Sequence, residues 1–220
     1  MLYRDRRHAG KILAEHLSPY KGQRALVLAV PRGGVVVGDE VATALDAQLD
    51  VVITRKIGAP AQPELAIGAV APDGTVLCDP RLAGYFNLPE DYISSKAEEE
   101  RKEIQRRLER YRERRPLPEM RGRILIVVDD GIATGLTITA AVKWLRGKDP
   151  ARLVLAVPVA PPEAISRLKS EVDEVVCPYT PEPFFAVGQF YHVFDQTPDE
   201  VVVSILQRYV LPRPGAPADE

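Results

Sequence analysis

The chain has 220 residues, 27% of them charged, and a formal net charge of -2. That is long enough to bury one α/β core, and too balanced for its overall field to draw it to nucleic acid or to an anionic membrane. No apolar run approaches the ~20 residues that span a bilayer. The opening Met1–His8 carries charges with no apolar segment behind them, so it does not read as a signal peptide. Cys78 and Cys177 stand far apart, with no CxxC-like partner. This argues against a disulfide framework or a zinc site and suits a cytoplasmic protein.

Asp5 to Leu17 is expected to form the first helix, capped by Asp5, with Ala9, Ile12, Leu13 and Leu17 on the buried stripe. His8 and His16 have no partners at metal-ligand spacing and read as surface or packing residues. Ala25 to Val30 reads as a buried strand. Pro31-Arg32-Gly33-Gly34 follows, then a helix with Val37, Val41, Ala44 and Leu45 facing inward. Glycines at such a corner let backbone N–H groups approach an anion, although a plain strand–turn–helix corner needs the same residues. Asp50 to Thr54 is the next strand. Arg55 and Lys56 close it at the carboxyl end, the ligand side of an open α/β sheet; the pair suits an anion or is simply surface charge. Ile57 to Glu64, rich in Gly and Pro, reads as a loop. Leu65–Val70 and Thr75–Cys78 then pair as a hairpin through Pro72-Asp73-Gly74.

From Ser95, with Glu98 completing a capping box, a charged helix is predicted to about Arg115. Ile93, Ala97, Ile104, Leu108 and Tyr111 give it one narrow apolar stripe, suited to docking by one edge or to a partner surface. Its arginine-rich end is interspersed with Glu, which argues against RNA. Ile124 to Val128 is a continuous apolar run, the pattern of a parallel strand buried on both faces. It ends in Asp129 and Asp130. The loop Gly131-Ile132-Ala133-Thr134-Gly135-Leu136-Thr137 comes next, then a helix with Ile138, Ala141, Val142 and Leu145 on one side. That order sets free N–H groups and a helix N-terminus, which attract phosphate, beside two carboxylates that can hold sugar hydroxyls or the water shell of Mg²⁺. A helix cap behind a buried strand is the plain alternative. A phospho-acceptor receiver also ends a strand in paired acids, but near its N-terminus, whereas this strand lies past the middle of the chain. Arg152–Val159, Pro161–Lys169 and Glu174–Cys177 read as strand, helix and strand. Aromatic residues then crowd Pro178 to Phe194, as a stacking pocket for a flat ring or as the core of a small subdomain. A last helix starts at Thr197-Pro198-Asp199, and 212–220 reads as a disordered tail.

Val127-Val128-Asp129-Asp130 followed by Thr134-Gly135-Leu136-Thr137 closely resembles the signature of type I phosphoribosyltransferases. Val30-Pro31-Arg32-Gly33-Gly34 resembles the Arg-Gly-Gly pyrophosphate loop of their bacterial xanthine-guanine members. The resemblance covers roughly Ala25 to Val159, apart from a helical insertion at about 79–121. It implies a three-layer α/β fold: a mostly parallel sheet of about six strands with one antiparallel edge strand and helices on both faces. The core would be 1–177, with a small C-terminal hood and final helix over 178–211. It further implies Mg²⁺-dependent transfer of ribose 5-phosphate from phosphoribosyl pyrophosphate (PRPP) to a nitrogen nucleophile such as a nucleobase, with release of pyrophosphate.

In that reading residues 131–137 grip the 5-phosphate, and Asp129 and Asp130 orient the ribose and the metal. Arg32, Gly33, Gly34, Arg55 and Lys56 receive the pyrophosphate, with Arg32 and Lys56 joining the acid pair in catalysis. The family's mobile loop would fall at 57–64, and its non-proline cis peptide between Arg32 and Gly33. The acceptor would lie under the hood, where Tyr179, Phe184, Phe185 and Tyr191 are the candidate stacking partners. The partners implied are PRPP and a small-molecule acceptor, and a homo-oligomer is compatible with the sequence. Members acting on 6-oxopurines commonly carry an acid where Ala133 stands here, so the proton acceptor is unassigned. The second reading is a non-enzymatic PRPP-sensing regulator, although no nucleic-acid-binding motif is evident.

Overall fold

The structure is a computed structural model describing residues 2–60, 62–86, 88–89, 91–113 and 115–210. The tail read as disordered, 212–220, lies outside the described residues. The chain opens with α1 (Arg6–His16), β1 (Leu26–Ala29), α2 (Gly33–Leu45) and β2 (Gln48–Val51). It continues through β3 (Arg55–Ala59), β4 (Gln62–Val70), β5 (Val76–Cys78), α3 (Pro80–Tyr85) and α4 (Tyr92–Arg112). The second half is β6 (Ile124–Val128), α5 (Leu136–Arg146), β7 (Arg152–Ala156), α6 (Pro162–Leu168), β8 (Glu174–Val176) and α7 (Asp199–Gln207).

Five strands form one parallel sheet in the order β2-β1-β6-β7-β8. Side chains alternate across it, as a pleated strand requires. Val27, Ala29, Ile126, Val128, Val154 and Ala156 point into the layer that holds the buried stripes of α1, α2, α4 and α7. Leu26, Leu28, Leu125, Val127, Leu153 and Leu155 meet α5 and α6 on the other face. Both faces are covered, so the continuous apolar runs of the sequence are physically required.

The antiparallel strands depart from expectation. They do not form an edge of the main sheet but a separate sheet, β3-β4-β5. This sheet packs over α5 through Ala69, Ala71 and Ala140, with Leu77 and Trp144 against them. Small residues allow that close approach. The segment expected as a loop at 57–64 contains the end of β3 and the start of β4, because Ile57 and Ala59 are buried and anchor it. Its register shifts between Ile57 and Gly58 and again between Gly58 and Ala59.

α4 begins a turn earlier than predicted. Asp91 is its N-cap and Ser95 already donates to the Asp91 carbonyl, so no Ser95/Glu98 capping box forms. Its apolar stripe docks into the main core through Ala97, Ile104 and Tyr111. The segment is thus part of the core layer and not an appendage. A buried ion pair locks its C-terminal end: Arg112 Nε lies 3.1 Å from Asp50 Oδ1, and Arg112 Nη2 donates to the Val51 carbonyl at 2.8 Å. Removing one partner of a buried pair strands the other charge. Arg112→Ala should therefore cost about 3–5 kcal/mol of stability, seen as a lower urea midpoint at unchanged slope. A loss below about 1 kcal/mol would mean the pair behaves like a surface one.

Candidate functional site

β1 and β6 are neighbours, and both run into their functional turns at the same edge of the sheet. Val30 N donates to Val128 O at 2.8 Å, carrying the pairing to the last residue before each turn. The Arg-Gly-Gly turn and the acid pair therefore meet. Gly33 and Gly34 open α2, and the reason they are glycines is contact with the neighbouring turn. A Cβ on Gly33 would stand 1.9 Å from Asp130 Oδ2, and one on Gly34 would stand 2.9 Å from Asp129 Cα. The cis peptide expected between Arg32 and Gly33 lies one bond earlier, between Pro31 and Arg32. Arg32, on its carboxyl side, is the N-cap of α2.

Across the cleft, Ile132 pins the Gly/Thr loop. Its side chain is buried and its N–H donates to the Val159 carbonyl. Ala133 and Thr134 are exposed at the tip. Gly135 takes a left-handed φ of 78° as the N-cap of α5, a conformation that favours glycine. Among the described residues, no backbone carbonyl accepts from the N–H groups of Ala133, Thr134 or Gly135. They lead into the α5 N-terminus, an arrangement that attracts a phosphate. From behind, Arg167 of α6 donates to the Thr134 carbonyl and steadies the tip.

Between the two turns lies a cleft of about 450 Å³. Asp129, Asp130 and Thr137 line its floor; Arg32, Thr54, Arg55, Lys56 and Arg107 line one wall. Burial pushes both carboxyls above the usual range, and Asp129 is raised further by the charge of Asp130. The Arg6 guanidinium works the other way on Asp130, with Nε 2.7 Å from Oδ2. Arg6 also donates to the Asp195 carbonyl at 2.7 Å and lies over the Phe194 ring, 3.9 Å from its centroid. Arg6 and Arg107 line the cleft with no forewarning in the sequence. Arg6 is one of two adjacent arginines on α1 and Arg107 one of many on α4, and only the fold brings them to the site.

Contrary to what the sequence suggests, Arg55 and Lys56 do not close the strand before them. They instead begin β3, since β2 stops at Val51, but both still face the cleft. The four hood aromatics do not line it. Tyr191 is buried, and its hydroxyl donates to the Asp130 carbonyl. It packs on Tyr3 and Phe194, with ring centroids 5.3 and 4.9 Å away. Phe184 and Tyr179 pack on Phe190, and Phe185 is 83% exposed. The cause is the N-terminal segment, which pairs with the hood through Tyr3 and His192 and gathers the aromatics into a small core. The hood side of the cleft is made instead by Val187, Phe194, Gln196 and Thr197.

Among the described residues, no three His, Cys, Asp or Glu side chains cluster as a metal cage. A metal here would have at most the two aspartates as protein ligands. That fits Mg²⁺, which binds through one or two carboxylates and completes its shell with water and substrate phosphate.

The fold is thus a parallel α/β sheet with a Gly/Thr loop, an acid pair and a cationic wall gathered at one edge. Residues 3–195 match the family model of the phosphoribosyl transferase domain. The chain is 44% identical over 207 residues to two Mycobacterium tuberculosis sequences, from strains CDC 1551 and H37Rv, each bearing the name "Putative phosphoribosyl transferase". The matches cover 94% of this chain and 47% of each relative, so the chain spans about half the length of the curated relatives it matches. In structure it is similar to TT1426 from Thermus thermophilus, with 45% identity and a TM-score of 0.79 over 95% of this chain and 99% of that one. The chain belongs to the phosphoribosyl transferase domain family. Among the described residues, no helix is long and apolar enough to cross a membrane.

Proposed function

We propose that this protein transfers ribose 5-phosphate from PRPP to a small nucleophile, with Mg²⁺ and with release of pyrophosphate. The observation that carries this reading is the meeting of three chemistries at one edge of the sheet, around a cleft that the Gly/Thr loop enters through Thr137. A loop with unengaged N–H groups suits the 5-phosphate, the acid pair suits ribose hydroxyls and a cation, and the Arg-Gly-Gly turn with its cationic wall suits pyrophosphate. The loop 131–137 holds the 5-phosphate end. Asp129 and Asp130 orient the ribose so that its anomeric carbon faces the acceptor. As the bond to pyrophosphate breaks, the ribosyl centre becomes oxocarbenium-like, as in other glycosyl transfers. Arg32, Arg55 and Lys56 then stabilise the charge growing on the leaving group. Bound Mg²⁺ would neutralise part of that charge.

The acceptor enters beside Phe194, Val187, Gln196 and Thr197. Tyr191 acts at one remove, by holding the Asp130 carbonyl. Ala133, exposed at the loop tip, offers no carboxylate to take a proton from a 6-oxopurine. General base catalysis is worth about 10²–10⁴-fold. Turnover of hypoxanthine and guanine should therefore fall at least about a hundredfold below the ~1–10³ s⁻¹ of ordinary enzymes. A panel of bases and amines at fixed Mg²⁺–PRPP, followed by pyrophosphate release, tests both points. Salvage-type rates with hypoxanthine or guanine would sink the claim about acceptor choice. Tight PRPP binding with no turnover on any acceptor would favour the regulator, to which the missing acid at Ala133 also points.

A further inference from the structure

α4 brings Arg107 to the cleft and sets Glu100, Glu103 and the buried Tyr111 beside the groups around it. Glu100, Glu103, Arg107 and Tyr111 recur at three- and four-residue spacing, so they lie one above another on the helix. Glu100 and Glu103 each hold a cation of the wall, and Tyr111 holds an acid that faces Arg32. Glu100 accepts from Arg55 Nε at 2.6 Å, and Glu103 accepts from Arg107 Nε at 2.7 Å. The Tyr111 hydroxyl donates to Asp199 Oδ1 at 2.6 Å, and Arg32 Nη1 lies 3.6 Å from that same oxygen. Arg32, Arg55 and Arg107, which all line the cleft, are thus held by α4 directly or through Asp199. Thr54 lines the same wall, and its buried Oγ1 has no hydrogen-bond partner among the described residues.

We propose that α4 forms the second half of the pyrophosphate site: Arg107 binds the diphosphate of PRPP directly, while Glu100 and Glu103 are counter-ions that hold Arg55 and Arg107 until the diphosphate displaces them. The inference rests on the PRPP reading above, and extends it to a helix the sequence marks only as charged. The three guanidiniums on this one wall repel each other, and the two glutamates relieve that repulsion when no anion is bound. Both pairs are partly solvated, with side-chain exposures of 31% and 21% for Arg55–Glu100 and 15% and 27% for Arg107–Glu103. Such pairs exchange partners at little cost, and a phosphate offers the planar guanidinium a two-pronged match at higher charge. Hydrogen bonds from Arg106 and Arg107 hold the Glu103 carboxyl down at about 2, so it stays ionised beside the incoming anion.

The test uses the full chain and two separate probes, inorganic pyrophosphate with Mg²⁺ and ribose 5-phosphate, each titrated by calorimetry. Arg107→Ala should weaken pyrophosphate binding about tenfold or more and leave ribose 5-phosphate unchanged. Glu103→Gln should do the opposite and tighten pyrophosphate by about threefold, because it removes a charge that competes for Arg107. A residue that merely supports the helix would not give opposite signs. Pyrophosphate affinity unchanged in Arg107→Ala would overturn the inference. So would loss of both ligands alike in that variant, or weakening by Glu103→Gln. A parent protein that binds neither probe is a different result, and overturns the PRPP reading itself.

Discussion

The double variant Asp129→Asn/Asp130→Asn should lose at least about a hundredfold in affinity for Mg²⁺–PRPP. The two carboxylates lie on the cleft floor between the phosphate-type loop and the Arg-Gly-Gly turn. Each can accept charge-assisted hydrogen bonds from ribose hydroxyls or from metal-bound water. Bonds to charged groups contribute about 1.5–3 kcal/mol each, so losing one per residue gives about 10²–10⁴-fold. The fold should survive the change. The acids crowd two like charges into a partly buried floor, and amides of the same shape remove that repulsion. Asp130 loses its ion pair with Arg6, but Arg6 keeps the Asp195 carbonyl and the Phe194 ring. Thermal unfolding should thus stay close to that of the parent while calorimetry shows the loss. Equal affinity for Mg²⁺–PRPP in parent and variant would refute the assignment of the acid pair.

Gly33→Ala should damage the site from the opposite turn. The new methyl would stand 1.9 Å from Asp130 Oδ2 and 2.6 Å from Arg6 Nε. Neither neighbour is a loose chain end, because each holds the other at 2.7 Å. The carboxylate must therefore swing away or α2 must shift. Overpacking of this kind costs about 1–3 kcal/mol, and the displaced aspartate should reduce Mg²⁺–PRPP affinity by about tenfold or more, the worth of one charge-assisted bond. Gly84→Ala is the control. It also lies in a helix, but its added methyl meets nothing within 4 Å, so it should leave binding unchanged and raise stability slightly. Parental affinity and stability in Gly33→Ala would mean that the two turns are not as closely joined as the structure shows.

Much of this protein is legible in its residues because the interactions concerned are local or periodic. Short, β-branched apolar runs such as Ile124–Val128 suit strands covered on both faces, and the acid pair and Gly/Thr loop follow one of them without interruption. Pro31–Gly34 marks a corner for the same reason. What the tertiary structure alone decided involves partners far apart in the chain. Arg6 reaches Asp130 across 124 residues, because the N-terminal segment pairs with the hood. The same pairing draws Tyr191 and its neighbours into a small core and leaves Phe194 facing the cleft, a choice that residue type cannot make. The long charged helix shows its apolar stripe in the sequence. Only docking reveals that Glu100, Glu103 and Arg107, on an adjoining face, overlook the site, since charge patterning marks which face can be solvated but not what it will face once the chain has folded.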